Sequence, residues 1–296
     1  MFAFTKLMLT ISAVIKTTKA IFGFGYTGSA FTAITNLVSD TGVVATDTTG
    51  VGTARQGLAA ASYGTDKAIF GFGEGGFNLA VTNLVSNTGV VATDTAGVGT
   101  ARQYPGAAGY GTDKAIFVFG YSNAPSSISN LVSNTGVVAT DTATVASTSY
   151  VGAAASYGTD KAIFGYGTSG VSNLVSNTGV VASDVARVGT TAYARAGTGY
   201  GTDKAIFGYG TTGSVVSVTN LVSNTGVVAA DTTGVGTARA SLAAARYGTD
   251  TAIFGYGTTG TNQSLTNLVS NTGVVASDTT GVGTARHYLA AASFTS

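Results

Sequence analysis

Residues 220–253 read NLVSNTGVVAADTTGVGTARASLAAARYGTDTAI, and the chain is built on copies of this stretch. Similar stretches begin at Asn36, Asn83, Asn130 and Asn173, and a sixth begins at Asn267. In five copies the step from this Asn to the Ile of the next AIF triplet is 33 residues. The return step is 14 or 15 residues in five cases and 10 in the case that starts at Ile163. One rigid module therefore recurs at a period of about 47 residues, which is the signature of a repeat array. A single loop in each module absorbs the change in length.

Each module reads as four short strands. SNTG, as at residues 223–226, separates two β-prone runs, NLV and VVA, and its Gly suits the left-handed position of a hairpin. YGTDK, as at residues 200–204, does the same between an Ala-rich run and AIFGYG. In order, strand a is LAAAS-like, b is AIFGYG, c is TNLVS and d is GVVAT. No window has a 3.6-residue apolar period, so almost no helix is expected. The pairs Ile-Phe, Leu-Val and Val-Val do not alternate with polar residues, which requires cover on both faces of a sheet. Strand a carries runs such as Ala59-Ala60-Ala61 and Ala243-Ala244-Ala245, suited to a point where sheets converge.

Small residues at the centre and larger ones outside predict an all-β fold, a six-bladed β-propeller of four-stranded antiparallel blades. A β-solenoid is the alternative, although solenoids repeat at shorter periods without two hairpin turns per unit. The run from Arg239 through LAAARYGTDTAIFGYG resembles the Kelch repeat, in which an Arg opens the inner strand and a Gly pair follows the second. Gly255-Tyr256-Gly257 stands in for that pair, and the Kelch Trp is missing because the chain has none. The near-identical modules are also similar to propeller-repeat structural proteins of cyanophages and other aquatic viruses.

Six AIF triplets accompany seven candidates for strand a. Residues 288–294 keep the pattern of the inner strand, whereas residues 7–15 merely occupy its register before Ile21. The first expectation is that 288–294 completes the blade of Ile21 and joins the two ends of the chain. The division is then a 1–15 extension, an apolar segment suited to assembly or self-association, and a 16–296 propeller. The other reading makes 7–15 the inner strand. Residues 1–20 also bear a weak likeness to a signal peptide, but the apolar run merges into the first AIF strand and is too short to span a bilayer.

The chain has 14 basic and 13 acidic residues, evenly spread, so no basic stripe is available for nucleic acid. With no Cys, disulfides and thiolate metal sites are excluded. His287 is the single His, which leaves no His-based metal site and no Ser-His-Asp set. Asp47, Asp94, Asp141, Asp184, Asp231 and Asp278 recur after strand d without a D-x-D-x-D cluster for Ca²⁺. They are expected to cap turns and pair with the Arg eight residues on, Asp47 with Arg55 and Asp94 with Arg102. Asp66, Asp113, Asp160, Asp203 and Asp250 are explained by turn chemistry. The Gly-x-Gly of AIFGYG precedes no helix and is not a nucleotide loop.

Variation falls in two places. The b–c loops (YTGSAFTAI, EGGFNLAV, YSNAPSSI, TSGV, TTGSVVSV and TTGTNQSL) emerge together with the d–a connections on one face. Around the Arg position, near the mouth of the expected channel, lie Gln56, Gln103, Tyr104, Tyr150, Tyr193, Arg195, His287 and Tyr288. Tyr and Gln there could stack on and hydrogen-bond a sugar; ordinary amphipathic residues at a strand end would look the same.

No catalytic residue, metal or cofactor is expected, and the chain reads as not an enzyme. The resemblance implies a structural or recognition module of a phage particle, in the virion or outside the cell, with virion proteins or a host-surface glycan as partners. The alternative is a secreted lectin-like propeller. Neither nucleic acid nor a membrane span is expected.

Overall fold

The computed structural model describes residues 16–296. The described residues contain no helix and form twenty strands. In chain order these are β1 (Thr18–Tyr26), β2 (Phe31–Val38), β3 (Ala59–Tyr63), β4 (Lys67–Gly71), β5 (Thr82–Val85), β6 (Gly106–Tyr110), β7 (Lys114–Val118), β8 (Ile128–Val132) and β9 (Thr142–Ala143). There follow β10 (Ala153–Tyr157), β11 (Lys161–Gly165), β12 (Val171–Val175), β13 (Val185–Ala186), β14 (Ala196–Tyr200), β15 (Lys204–Gly208), β16 (Thr219–Val222), β17 (Ala243–Tyr247), β18 (Thr251–Gly255), β19 (Thr266–Val269) and β20 (Ala290–Thr295).

The strands make six antiparallel sheets. Two have four strands, β6 to β9 and β10 to β13; the other four have three. The expected fourth strand is thus a two-residue piece or isolated bridges such as Thr35↔Thr48 and Val38↔Val44. The cause lies in burial: after Val91 the residues of this run are exposed, so nothing apolar holds it down as a strand.

The second strand of each sheet is the core. Ile69 and Phe70 are adjacent, point to opposite faces and are both fully buried, as are their counterparts in the other five sheets. Ala61 pairs with Ile69, which pairs in turn with Leu84, setting the Ala strand on one side and the Leu-Val strand on the other. In the SNTG turns Gly89 and Gly136, and in the matching SDTG turn Gly42, take φ of 81 to 84°, the left-handed region that a side chain resists.

Sheets pack on their successors. Each aromatic of the Gly-x-Gly meets the AIF Phe of the next sheet in a tilted or edge-on pair: Phe24 with Phe70 at 5.2 Å, Phe72 with Phe117 at 5.1 Å, and Tyr209 with Phe254 at 5.2 Å. Tyr256 of the last repeat meets Phe22 of the first in the same way, also at 5.2 Å. Space for these rings comes from a glycine: a Cβ on Gly71 would lie 2.7 Å from Phe117 Cζ. Along the Ala-rich strands, β3 touches β6, β6 touches β10, β10 touches β14, β14 touches β17, β17 touches β20, and β20 touches β3.

The two ends of the described chain share one sheet. β1 pairs with β2 on one side and with β20 on the other, in register from Thr18↔Thr295 to Gly23↔Ala290. The C-terminal strand therefore takes the position expected for residues 288–294. Residues 7–15, and the assembly role expected of 1–15, lie outside the described residues.

A buried arginine network braces each complete repeat. Arg55 is fully buried with its Cζ 4.2 Å from the Phe24 centroid. It donates from Nε to the Phe72 carbonyl at 2.8 Å, from Nη1 to Thr53 O at 3.0 Å and from Nη2 to Asn83 Oδ1 at 2.7 Å. Asn83 donates from Nδ2 to Asp94 Oδ1 at 2.8 Å, and Asp94 accepts from both Thr53 N and Thr53 Oγ1. Arg102, Arg239 and Arg286 repeat the arrangement.

This corrects the pairing expected eight residues apart. Arg55 faces Asp94 at 4.0 Å, and Arg239 faces Asp278 at 3.9 Å. The reason is that Arg55 leads into β3 and stays with that sheet, whose edge carries Asp94, while Asp47 is left on the sheet before. Asp47 is instead held by Thr284 and Asn36.

Candidate functional site at the varied end of the sheets

Each second strand ends in a Gly-aromatic-Gly step, with Val118 in place of the first Gly in β7. Its aromatic has φ near +60°, as at Phe24, Phe72, Phe119, Tyr166, Tyr209 and Tyr256, and in β1 the register shifts between Gly23 and Gly25. Such a β-bulge re-aims the chain beside it. Here it turns the aromatic inward, under the arginine in the complete repeats, and delivers the following residue to the end of the sheet.

That following residue then meets the one after the Arg position. The facing pairs are Tyr26 with His287, Glu74 with Gln56, Tyr121 with Gln103, Thr211 with Tyr193, and Thr258 with Ala240. In the fourth sheet Thr168 N donates to Tyr150 O at 3.2 Å. The frame around these positions is nearly the same in every repeat, yet the pairs differ from repeat to repeat. Glu74 is the only Glu of the chain and His287 the only His.

One residue further on, Gly57, Tyr104, Val151, Ala194, Ser241 and Tyr288 occupy equivalent positions, all with φ between 51 and 59°. Their backbones bond to one another: Tyr104 N to Gly57 O, Val151 N to Tyr104 O, Ala194 N to Val151 O, Ser241 N to Ala194 O and Tyr288 N to Ser241 O. Gly57 N donates to Tyr288 O at 2.9 Å, which returns the series to its start. Together these six positions line a cavity of about 100 Å³.

The tyrosines gather here. Tyr104 lies 5.0 Å from Tyr288 and 6.5 Å from Tyr150, and Tyr150 lies 5.1 Å from Tyr121. Tyr288 continues to His287 at 4.8 Å, then to Tyr26 at 5.7 Å and Phe31 at 5.6 Å. Tyr104, Tyr150, Tyr193 and Tyr288, with Thr168 and Thr211, line a cavity of about 520 Å³. Polar groups frame the aromatics: Gln56 Nε2 donates to Glu74 Oε2 at 3.1 Å, and His287 Nδ1 meets Asn262 Oδ1 at 2.6 Å.

Burial pushes the Tyr104 hydroxyl well above the usual phenol range, with Tyr288 and Glu74 adding to it, so it remains a neutral donor. Burial also holds His287 below its ordinary value, favouring neutral imidazole. The arrangement can stack flat apolar faces and offer hydroxyl, amide and carboxylate partners at their edges.

Four expected residues, Tyr104, Tyr150, Tyr193 and Tyr288, are brought into one cavity, and His287 and Gln56 lie beside it. Gln103 reaches the end face through its backbone bridge to Tyr121, but its Oε1 is buried without a partner. Arg195 is only 4% exposed and carries its guanidinium inward over Tyr166, 4.2 Å from the ring centroid. Sequence reasoning did not single out Tyr26, Glu74 and Tyr121. Their signal was present, since each is the first residue after the aromatic-Gly step and that position changes between repeats.

Among the described residues no group of three or more His, Cys, Asp or Glu side chains converges as a metal site. No helix among them is long and apolar enough to cross a membrane.

No family model and no curated protein matches the chain. Among solved structures it is similar to a novel fungal alcohol oxidase with catalytic diversity among the AA5 family, in complex with copper. That likeness has a TM-score of 0.57 at 14% identity and covers 92% of this chain and 66% of the oxidase chain. This chain thus spans just under two thirds of that protein's length, and the likeness is one of fold. It corrects the expectation that the chain is not an enzyme: that expectation rested on finding no catalytic or metal-ligating set among the residues, and an enzyme has the same fold.

Proposed function

We propose that the six sheets are blades of a closed six-bladed β-propeller, completed by β20, and that its varied end recognises a saccharide. The observation that carries this reading is the tyrosine-lined cavity of about 520 Å³, set among facing pairs that differ from blade to blade on a common frame. Closure is supported by the backbone series that runs from Gly57 through Tyr288 and back to Gly57.

A pyranose presents an apolar face and a rim of hydroxyls. Stacked Tyr rings take the face, and Glu74, Gln56 and the threonines suit the rim. Tyr is also inexpensive to order, with two side-chain torsions, so a rigid tyrosine platform loses little entropy on binding. The reading applies equally to a binding protein and to an enzyme that takes a saccharide. A virion component that reads a host-surface glycan is the setting we propose for it.

Copper, which the oxidase holds, does not fit this donor set. Cu(II) sites are built from imidazole nitrogens with other N or O donors. Here a single imidazole is present, already bonded to Asn262 through Nδ1, with no converging group of ligands among the described residues.

A glycan array with the intact chain tests the reading. Specific binding should appear and fall at least tenfold, about 1.4 kcal/mol, in Tyr104→Ala and Tyr193→Ala. Binding that is absent, or that survives both substitutions, would refute it.

A further inference from the structure

The fourth sheet departs from the others in one connected set of residues. Arg187 stands three positions after Asp184, where four other repeats carry Gly50, Gly97, Gly234 and Gly281 and one carries Thr144. Those glycines are obligatory: a Cβ on Gly50 would overlap the Ala33 carbonyl, and Gly97, Gly234 and Gly281 would overlap Ala80, Ser217 and Ser264 in the same way. The fourth repeat has a short loop and places Gly170 at that point. Arg187 lies over it, its Nη1 2.9 Å from where a Gly170 Cβ would be. The shorter loop and the added arginine are thus two halves of one local design.

Arg187 has no carboxylate within 4.0 Å among the described residues, and neither has Arg195. The nearby acids are committed elsewhere, Asp184 to Ser147 and Asn173, and Asp231 to Thr190 and Asn220. Arg187 Nη2 donates to Thr191 Oγ1. Its Nε is buried without a partner, and so are Nε and Nη1 of Arg195, a residue only 4% exposed. Tyr166 joins the two arginines: its ring lies under Arg195, and its hydroxyl donates to Val188 O at 2.8 Å.

Two neighbouring guanidinium groups with unused N–H donors and no carboxylate in direct contact are an incomplete electrostatic arrangement, since buried charges are normally paired. Their place completes the argument. Gly170 and Thr191, which Arg187 touches, are each two residues from Thr168 and Tyr193 in the wall of the tyrosine cavity.

We propose that Arg187, backed by Arg195, forms a subsite for an anionic substituent, a carboxylate or a sulfate ester, on the saccharide held in that cavity. The proposal rests on the saccharide reading above and adds its charge. Arginine suits the task because its planar fork pairs two donors with two oxygens of such a group.

The test has two arms, both with the full chain and with Arg187→Gln, a site where other repeats tolerate Gly or Thr. In the first, sodium acetate and sodium sulfate are titrated at constant ionic strength while the arginine Nε–H resonances are followed by NMR. A saturable shift at Arg187 and Arg195 is expected, with binding read at Arg195 at least tenfold weaker in R187Q; no saturable shift overturns the subsite. In the second, a uronic-acid oligosaccharide, its carboxyl-reduced neutral form and a sulfated form are compared. The native chain should prefer one acidic form at least tenfold over the neutral one, and R187Q should erase that preference, whereas Tyr193→Ala should weaken every form. Equal binding of acidic and neutral forms overturns this proposal and leaves the saccharide reading intact. A shift with free anions but no binding of any saccharide overturns both the saccharide reading and the subsite's role in holding a sugar substituent.

Discussion

Arg286 Nη2 donates to Asn36 Oδ1 at 2.8 Å, although 250 positions separate the two residues. The same arginine covers Tyr256 at 4.3 Å and donates from Nε to Phe24 O at 2.8 Å. The last repeat is thereby fastened to the first by the device that braces the interior repeats.

Removing that device should cost the same at the joint as inside the array. Arg286→Ala and Arg55→Ala each strip a fully buried side chain from an Asn oxygen and a carbonyl, at a cost of about 3 kcal/mol. Urea unfolding of both variants checks this. A cost below about 1 kcal/mol for R286A alone would mean that the joint carries no load.

Two repeats lack arginine at the common position, at Ser149 and Ala192, and the second should be improvable. Ala192 occupies the Arg position of the fourth repeat, and Asn220 Oδ1 is left buried and unpaired. The double substitution Ala192→Arg with Arg195→Ala moves the arginine to the position it holds in four other repeats and supplies the missing donor. A gain of about 1 kcal/mol is expected in chemical denaturation, while the single change A192R should be destabilising, because the Tyr166 face is already covered by Arg195.

The bulge glycines position the site as well as the fold. Gly73 has φ of 106°, and a Cβ there would lie 2.7 Å from Gln56 O. Gly73→Ala should destabilise by about 1–3 kcal/mol through strain. It should also weaken saccharide binding more than an equally destabilising change at Gly71, since Glu74 is the next residue. Paired melting and binding measurements distinguish the two.

Acid should unfold the protein in a narrow window. Burial raises the pKa of Asp47, but this is outweighed by hydrogen bonds from Thr284 and Asn36 and by the charge of Arg286, so the net shift is downward. Asp94, Asp141, Asp231 and Asp278 behave alike. A carboxylate with a depressed folded pKa stabilises fully above its unfolded value and loses that contribution as pH falls through the folded one. Stability should therefore hold from pH 7 to about 4 and drop steeply below. Asp94→Asn should flatten the drop, as followed by far-ultraviolet circular dichroism.

Much of this was readable from the residues. The AIF triplets, the Ala runs and the SNTG turns gave strand order and hairpins, and the pattern at 288–294 gave the strand that pairs with β1. What the sequence could not resolve has a common physical origin: identical residues recur at every period, so Asp47 stands in line with Arg55 ahead and with Arg286 at the far end, and spacing cannot choose between them. The loss of most fourth strands was hidden because Val-Val looks β-prone while only one of the pair is buried. Tyr26 and Glu74 were hidden by the bulge, which no local propensity announces. The contact of Arg195 with Tyr166 could not be foreseen, because in other repeats that cover comes from a position three residues earlier.

The pairing of β1 with β20 admits a direct test, because the chain has no cysteine of its own. Thr17 and Ser296 exchange backbone hydrogen bonds at 2.9 and 3.0 Å, which makes Thr18 and Thr295 the neighbouring non-hydrogen-bonded pair. Thr18→Cys with Thr295→Cys should oxidise within one chain in the native protein, fail to do so in denaturant, and raise the melting temperature. Thiols that stay free under native conditions, or that link only between chains, would contradict the joining of the two ends on which the account rests.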